Sequence, residues 1–165
     1  MMKSAMWALA MLAMLAAFGM SGQSALAAGG GSDGPSAIPS VPEDPNFAAG
    51  KQAIAAQNWQ AALDAFGKVV AKEPGNPDGY NLLAYSYRKS DKLDLAFKNY
   101  NEALRLDPKH RGAHEYLGEA YLMAGNLAKA EEHLKVLDGL CFFGCEEYTE
   151  LKKAVAAYKQ KTANK

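Results

Sequence analysis

The sequence predicts an all-α fold of three helix-turn-helix repeats closed by a capping helix. Three observations carry this. Two helix-ending prolines, Pro74 in "AKEPGNPD" and Pro108 in "RLDPKH", stand 34 residues apart, and self-similarity at a fixed period of this size marks a repeat architecture. Small and aromatic residues recur in phase with those prolines. A last amphipathic stretch, "EEYTELKKAVAAYKQK", follows the repeats and carries its apolar residues at helical spacing.

The chain begins with a segment that stands outside this pattern. Lys3 precedes the apolar run "AMWALAMLAMLAAFGM", and Ala25-Leu26-Ala27 forms an A-x-A site. This arrangement is that of a secretory signal peptide, residues 1–27, cut after Ala27. A single membrane anchor is the rival reading. The run is short for a span and lacks a basic stop-transfer flank. The expected location is therefore the bacterial periplasm or the secreted fluid, with no stable membrane anchor after cleavage. Residues 28–45, rich in Gly, Ser and Pro, bury too little apolar surface to offset ordering entropy and read as a flexible linker. Its plainer reading is a solvated tail.

The repeat domain spans 46–160. Its units run 43–76, 77–110 and 111–144, and its capping helix 146–160. Helices are expected near 46–57, 60–73, 77–90, 93–106, 111–124 and 127–138. The middle unit has Tyr80, Leu83, Ala84 and Tyr87, then Ala96 and Tyr100, then Ala103 and Pro108. One period earlier stand Asn46, Ala49, Gly50, Ala53, Ala62, Phe66, Val69 and Pro74. One period later stand His114, Leu117, Gly118, Tyr121, Ala130, Leu134 and Leu137. Small residues at Gly50, Ala84 and Gly118, and at Ala62, Ala96 and Ala130, let helices approach closely, while Phe66, Tyr87 and Tyr100 fill the gaps. Proline closes the second helix of the first two units because it lacks an N–H and clashes with the preceding turn, and Phe142 stands at that position in the third.

This pattern resembles the tetratricopeptide repeat family, W-x2-L-G-x2-Y…A-x3-F…P, over residues 43–144. The resemblance implies a right-handed α-solenoid in which one unit cannot bury its apolar face alone and stacked units can. In the final helix Tyr148, Leu151, Val155 and Tyr158 share one face, and Lys152, Lys153 and Lys159 lie on the other.

Cys141 and Cys145 are the only cysteines, and they sit at the joint before the capping helix. Four helical residues rise about 6 Å, within reach of a disulfide, and Gly144 can break the helix there. Export favours a disulfide. Metal binding with His110, His114 or His133 is a second reading of the pair, and thiol redox chemistry a third. The spacing is C-x3-C rather than the C-x-x-C of thiol oxidoreductases, and Glu146 and Glu147 beside Cys145 oppose a low thiol pKa. His110 falls in an inter-repeat turn, and His114 occupies a position where the family carries a large core aromatic. Its plain reading is a packing histidine.

The formal net charge of zero argues against a nucleic-acid partner, which needs a basic face. No phosphate-cradling glycine loop, nucleophile elbow or H-E-x-x-H occurs, so no enzyme activity, catalytic residue, cofactor or metal is expected. The family resemblance implies an adaptor or scaffold that binds a protein or peptide in a concave groove. Carried onto this chain, that groove holds Phe47, Lys51, Ile54, Asn81, Tyr85, Arg88, Lys89, Glu115, Glu119 and Leu122. Tyr85 with Asn81 and Arg88 forms the expected peptide-binding cluster. Lys51, Arg88 and Lys89 make one end basic, and Glu115 and Glu119 make the other acidic. The alternative is a metal-handling or thiol-redox accessory protein using Cys141 and Cys145. Self-association through the exposed end near Ala156, Ala157 and Tyr158 is a further expectation.

Overall fold

A computed structural model of the chain describes residues 44–164. The signal peptide and most of the linker lie outside the described residues. Seven α-helices follow one another: α1 Pro45–Ala55, α2 Trp59–Lys72, α3 Pro77–Lys89, α4 Leu93–Leu106, α5 Arg111–Met123, α6 Leu127–Leu140 and α7 Glu146–Ala163. Among the described residues there is no strand, and no helix is long and apolar enough to cross a membrane. The architecture is the expected one of three helix pairs plus a cap, with helix ends within a few residues of those read from the sequence.

Local chemistry sets the ends. The Asp44, Asn58, Asn76 and Asn126 side chains each accept a backbone N–H of the helix that follows, as N-caps do. Pro45 and Pro77 occupy first-turn positions, where the missing N–H costs nothing. His110 caps α5 through Nδ1, which accepts from the Ala113 N–H at 3.2 Å, while its Nε2 meets Asp78 at 3.0 Å.

The 34-residue period is written into the backbone as well as the side chains. Gln57, Asp91 and Gly125 turn each pair with positive φ of 54°, 58° and 78°. Only the third unit uses glycine for this left-handed conformation, which costs other residues steric energy. Each turn is closed by a matching bond, from Asn58 N to Ala53 O, Lys92 N to Tyr87 O and Asn126 N to Tyr121 O.

The core is three successive clusters rather than one. Phe66 and Val69 fill the first, Ala84, Ala96 and Tyr100 the second, and Ala130, Leu137, Leu151 and Val155 the third. Ala62, Ala96 and Ala130 are all fully buried, so the second helices present the same stripe in each unit. A Cβ on Gly50 would sit 2.5 Å from the Phe66 ring, and one on Gly118 would sit 2.6 Å from Leu151. Both distances are below van der Waals contact, so these two glycines set how near Phe66 and Leu151 can come.

The cap docks by that second contact. α7 packs on α5 and α6 and buries Leu151 and Val155, with Tyr148 and Tyr158 beside them. The apolar face read from the sequence is the face that is buried. At the joint, Cys141 is the C-cap of α6 and Cys145 the N-cap of α7. A disulfide joins them with their Cα atoms 5.5 Å apart, and Gly144 turns the loop at φ +84°. The two earlier junctions run from Glu73 to Asn76 and from Asp107 to His110. The junction from Cys141 to Cys145 is one residue longer, and the disulfide closes that longer loop. Phe142 and Phe143 stand exposed on it. The double variant Cys141→Ser/Cys145→Ser is expected to lower the unfolding free energy by about 2 kcal/mol, the chain-entropy value for so short a loop. Urea denaturation checks it.

His114 Nε2 meets the Pro108 carbonyl at 3.0 Å, and its Nδ1 lies 2.9 Å from His133 Nδ1. The carbonyl can only accept, so His114 carries its proton on Nε2 and its Nδ1 accepts from His133. Burial holds both rings below the usual histidine range, His133 down to about 4. His114 is thus the packing histidine expected. Among the described residues no group of three or more His, Cys, Asp or Glu is placed to hold a metal ion.

Candidate functional site

The first helices of the last two units and the cap form a continuous row, with α3 touching α5 and α5 touching α7. The side chains expected to line a groove fall on these helices and on α1. Tyr85 and Lys89 come from α3, Glu115 and Glu119 from α5, and Lys51 from α1. Lys51 rests its ammonium over the Phe47 ring at 5.5 Å.

An aromatic run crosses the row. Tyr85 lies 6.1 Å from Trp59 and 4.9 Å from Tyr116, centroid to centroid. Two cations lie against it. Lys89 Nζ sits 5.6 Å over Trp59 and 6.0 Å over Tyr85. The Arg88 guanidinium sits 5.3 Å from Tyr85 and 5.5 Å from Tyr116. Such contacts contribute about 0.5–1 kcal/mol each where solvated and more where desolvated. Burial and the nearby Glu115 carboxyl push the Tyr116 hydroxyl up to about 12.

The basic and acidic ends expected of the groove meet in one pair. Arg88 is 8% exposed and binds Glu119 at 2.6 Å. Its charge is neutralised inside the protein, and it ties α3 to α5 while clamping Tyr85 and Tyr116. Lys89 remains exposed. Leu122, read as a groove residue, is buried in the third core cluster, and Ile54 packs against the first.

A separate hollow of about 250 Å³ opens between α3, α5 and the start of α7. Asn81, Leu82, Gly112, Glu115, Tyr116, Glu146 and Glu147 line it. Asn81 is 5% exposed, and its Oδ1 has no hydrogen-bond partner. Glu115 is 9% exposed. Burial is the main force pushing its carboxyl up, to about 7, with Glu119, Glu147 and Glu146 adding repulsion against the opposing pull of Arg88.

This shift has a stability consequence. The folded pKa lies above the unfolded one, so the favourable contribution of protonated Glu115 is present below about 4.5 and lost as pH rises through about 7. Glu115→Gln removes the ionisation. The variant is expected to gain about 1 kcal/mol over the parent at pH 8 and nothing at pH 4. Thermal melts at the two pH values check it.

Asn81, Tyr85, Arg88, Lys89, Glu115 and Glu119 are the residues that the sequence points to, and Trp59, Tyr116, Glu146 and Glu147 join them only in the folded chain. The signal for Tyr116 was its place on the α5 turn preceding Glu119. Trp59 lies on a second helix and reaches Tyr85 only through inter-unit packing.

Comparison with known proteins bears on this row of helices. The family model described as "Tetratricopeptide repeat" matches residues 47–109 and again 81–140. Small glutamine-rich tetratricopeptide repeat-containing protein 2 of Mycosarcoma maydis is 29% identical over 85 residues, 52% of this chain and 24% of that protein. TPR repeat-containing thioredoxin TTL4 of Arabidopsis thaliana is 33% identical over 84 residues, 51% of this chain and 12% of that protein. The match thus spans a quarter or less of these relatives' length. Among solved structures, the TPR2B domain of yeast Sti1 in its pHsp70 complex superposes with TM-score 0.64 at 21% identity, covering 70% of this chain and 94% of that one. The Yersinia enterocolitica type III secretion chaperone SycD, in complex with a peptide of the translocator YopD, superposes with TM-score 0.61 at 19% identity, covering 71% and 92%.

Proposed function

The chain belongs to the tetratricopeptide repeat family, and from that premise we propose that it is a protein-interaction module that captures a peptide or protein segment along α3 and α5. The observation that carries the reading is the Trp59–Tyr85–Tyr116 run with Lys89 beside it. Large aromatics with a cation alongside are the side chains that dominate interface energetics. They stand here on helices fixed by packing, which limits the ordering cost of binding. Of the solved domains of like fold, that of Sti1 is in a pHsp70 complex and SycD holds a peptide of YopD. That parallel supports a peptide ligand without naming it.

In the same reading the protein is exported, residues 1–27 are removed and residues 28–45 tether the module as a linker. An intact mass of protein from the exported fraction tests cleavage after Ala27. It works as an adaptor or scaffold rather than an enzyme. Asn81, Tyr85, Lys89, Glu115 and Lys51 are the residues that meet the partner, with Arg88 and Glu119 holding the aromatic run in place.

The groove is tested by selecting binders to the whole chain from a random peptide library and measuring their affinity for the parent and for Tyr85→Ala. Loss of about tenfold or more on removing Tyr85 is expected, a hot-spot effect of about 1.4 kcal/mol or above. Selected peptides that bind both proteins equally would refute the groove assignment.

A further inference from the structure

We propose that the partner captured in the groove inserts a lysine or arginine side chain into the hollow formed by Asn81, Glu115, Glu146 and Glu147. The proposal rests on the groove reading above and names the chemistry of one subsite. Three carboxylates, those of Glu115, Glu146 and Glu147, line it. Glu115 is 9% exposed, three other carboxylates repel it, and Arg88, the cation that attracts it, is bound to Glu119. Asn81 is more than nine-tenths buried and leaves Oδ1 unpartnered. A buried carboxylate without a cation of its own is unfavourable, and a cation brought by a ligand would offset that cost at Glu115.

Neighbouring cations do not fill the role. Arg88 is committed to Glu119 at 2.6 Å and to the faces of Tyr85 and Tyr116. Arg111 lies 3.6 Å from Glu147, on a side chain about half exposed. A metal ion is a poor fit, since among the described residues no set of three or more His, Cys, Asp or Glu converges for one.

Shape agrees with charge. Gly112 forms part of the lining, and a Cβ there would crowd Asn81 Nδ2 at 3.2 Å. The volume of about 250 Å³ accommodates one long side chain. Tyr116 lines the hollow and also packs against Tyr85, so a peptide lying on the aromatic run has the hollow beside it. A cation in the hollow favours ionised Glu115. Its grip should strengthen as pH rises through about 7, with Arg88 from α3, Glu119 from α5 and Glu146 and Glu147 from α7 as the other charges facing that carboxyl.

The test is an NMR titration of the whole chain at pH 8 and low salt. The probe is Nα-acetyl-lysine methylamide and the control is the norleucine analogue, which has the same stem and no charge. Saturable shifts confined to Gly112, Glu115, Glu147 and the Asn81 side-chain amide, seen with lysine only, are expected. The double variant Glu115→Gln/Glu147→Gln should weaken the lysine response at least tenfold. Equal responses to both probes, shifts elsewhere or none, or a response that survives the double variant would overturn the proposal. Each single Gln variant is near-isosteric, and its unchanged spectrum outside the hollow controls for folding. The probe spans no more than the hollow. Its failure therefore speaks against this subsite alone, and failure of the Tyr85 experiment against the groove.

Discussion

Replacing Leu151 with alanine is expected to lower the unfolding free energy by about 3 kcal/mol and to free α7 before the repeats unfold. Leu151 is fully buried, and its methyl groups occupy the space that the missing Gly118 side chain leaves. Large-to-small changes at such sites cost about 2–5 kcal/mol, because a cavity replaces the lost contacts. The consequence is local first. α7 packs chiefly on α5 and α6, and in a stacked array each element is stabilised chiefly by its neighbours. Hydrogen exchange should show α7 amides opening in the variant while α1 to α4 stay protected. Loss of less than about 1 kcal/mol, with α7 still protected, would mean that the cap is held by something other than this contact.

Arg88→Met is expected to cost about 3 kcal/mol, although the change adds no bulk and is close to neutral in size. The reason lies in what remains. Glu119 would lose the cation 2.6 Å away, on a side chain only about a quarter exposed, and removing one member of a buried pair leaves the other uncompensated. Tyr85 and Tyr116 would also lose the guanidinium packed against both rings. A companion variant, Arg88→Met/Glu119→Met, should regain much of the loss, since replacing both charges with apolar groups removes the unpaired carboxylate. Chemical denaturation of both variants checks this. If the double variant is no better than the single one, packing on the aromatic rings outweighs the ion pair.

Much of the fold was legible because a repeat states its geometry several times over. Pro74 and Pro108 fix the phase, and Ala62, Ala96 and Ala130 then fall on the same buried stripe. The cap was legible from the single apolar face of Leu151 and Val155, and the joint from Gly144 between two cysteines. The site was legible in part. Family position placed Tyr85 and Asn81 on the right helix, but it could not say that Arg88 would turn inward to Glu119. That choice depends on how α3 is rotated against α5, which neither local spacing nor composition encodes. The same holds for Trp59, which belongs to the first unit and meets a tyrosine of the second edge to face. Glu146 and Glu147 suited a helix N-terminus by the dipole argument. Their place on the wall of a hollow beside Asn81 follows from where the cap docks.

The measurement that tests the central reading most directly is hydrogen–deuterium exchange on the whole chain, with and without a library-selected peptide at saturation. A groove along the first helices predicts added protection concentrated in α3 and α5, residues 77–89 and 111–123, with α4 and α6 unchanged. Protection centred instead on α4 and α6, or on the Phe142–Phe143 loop, would contradict it and move the binding surface to another face of the molecule.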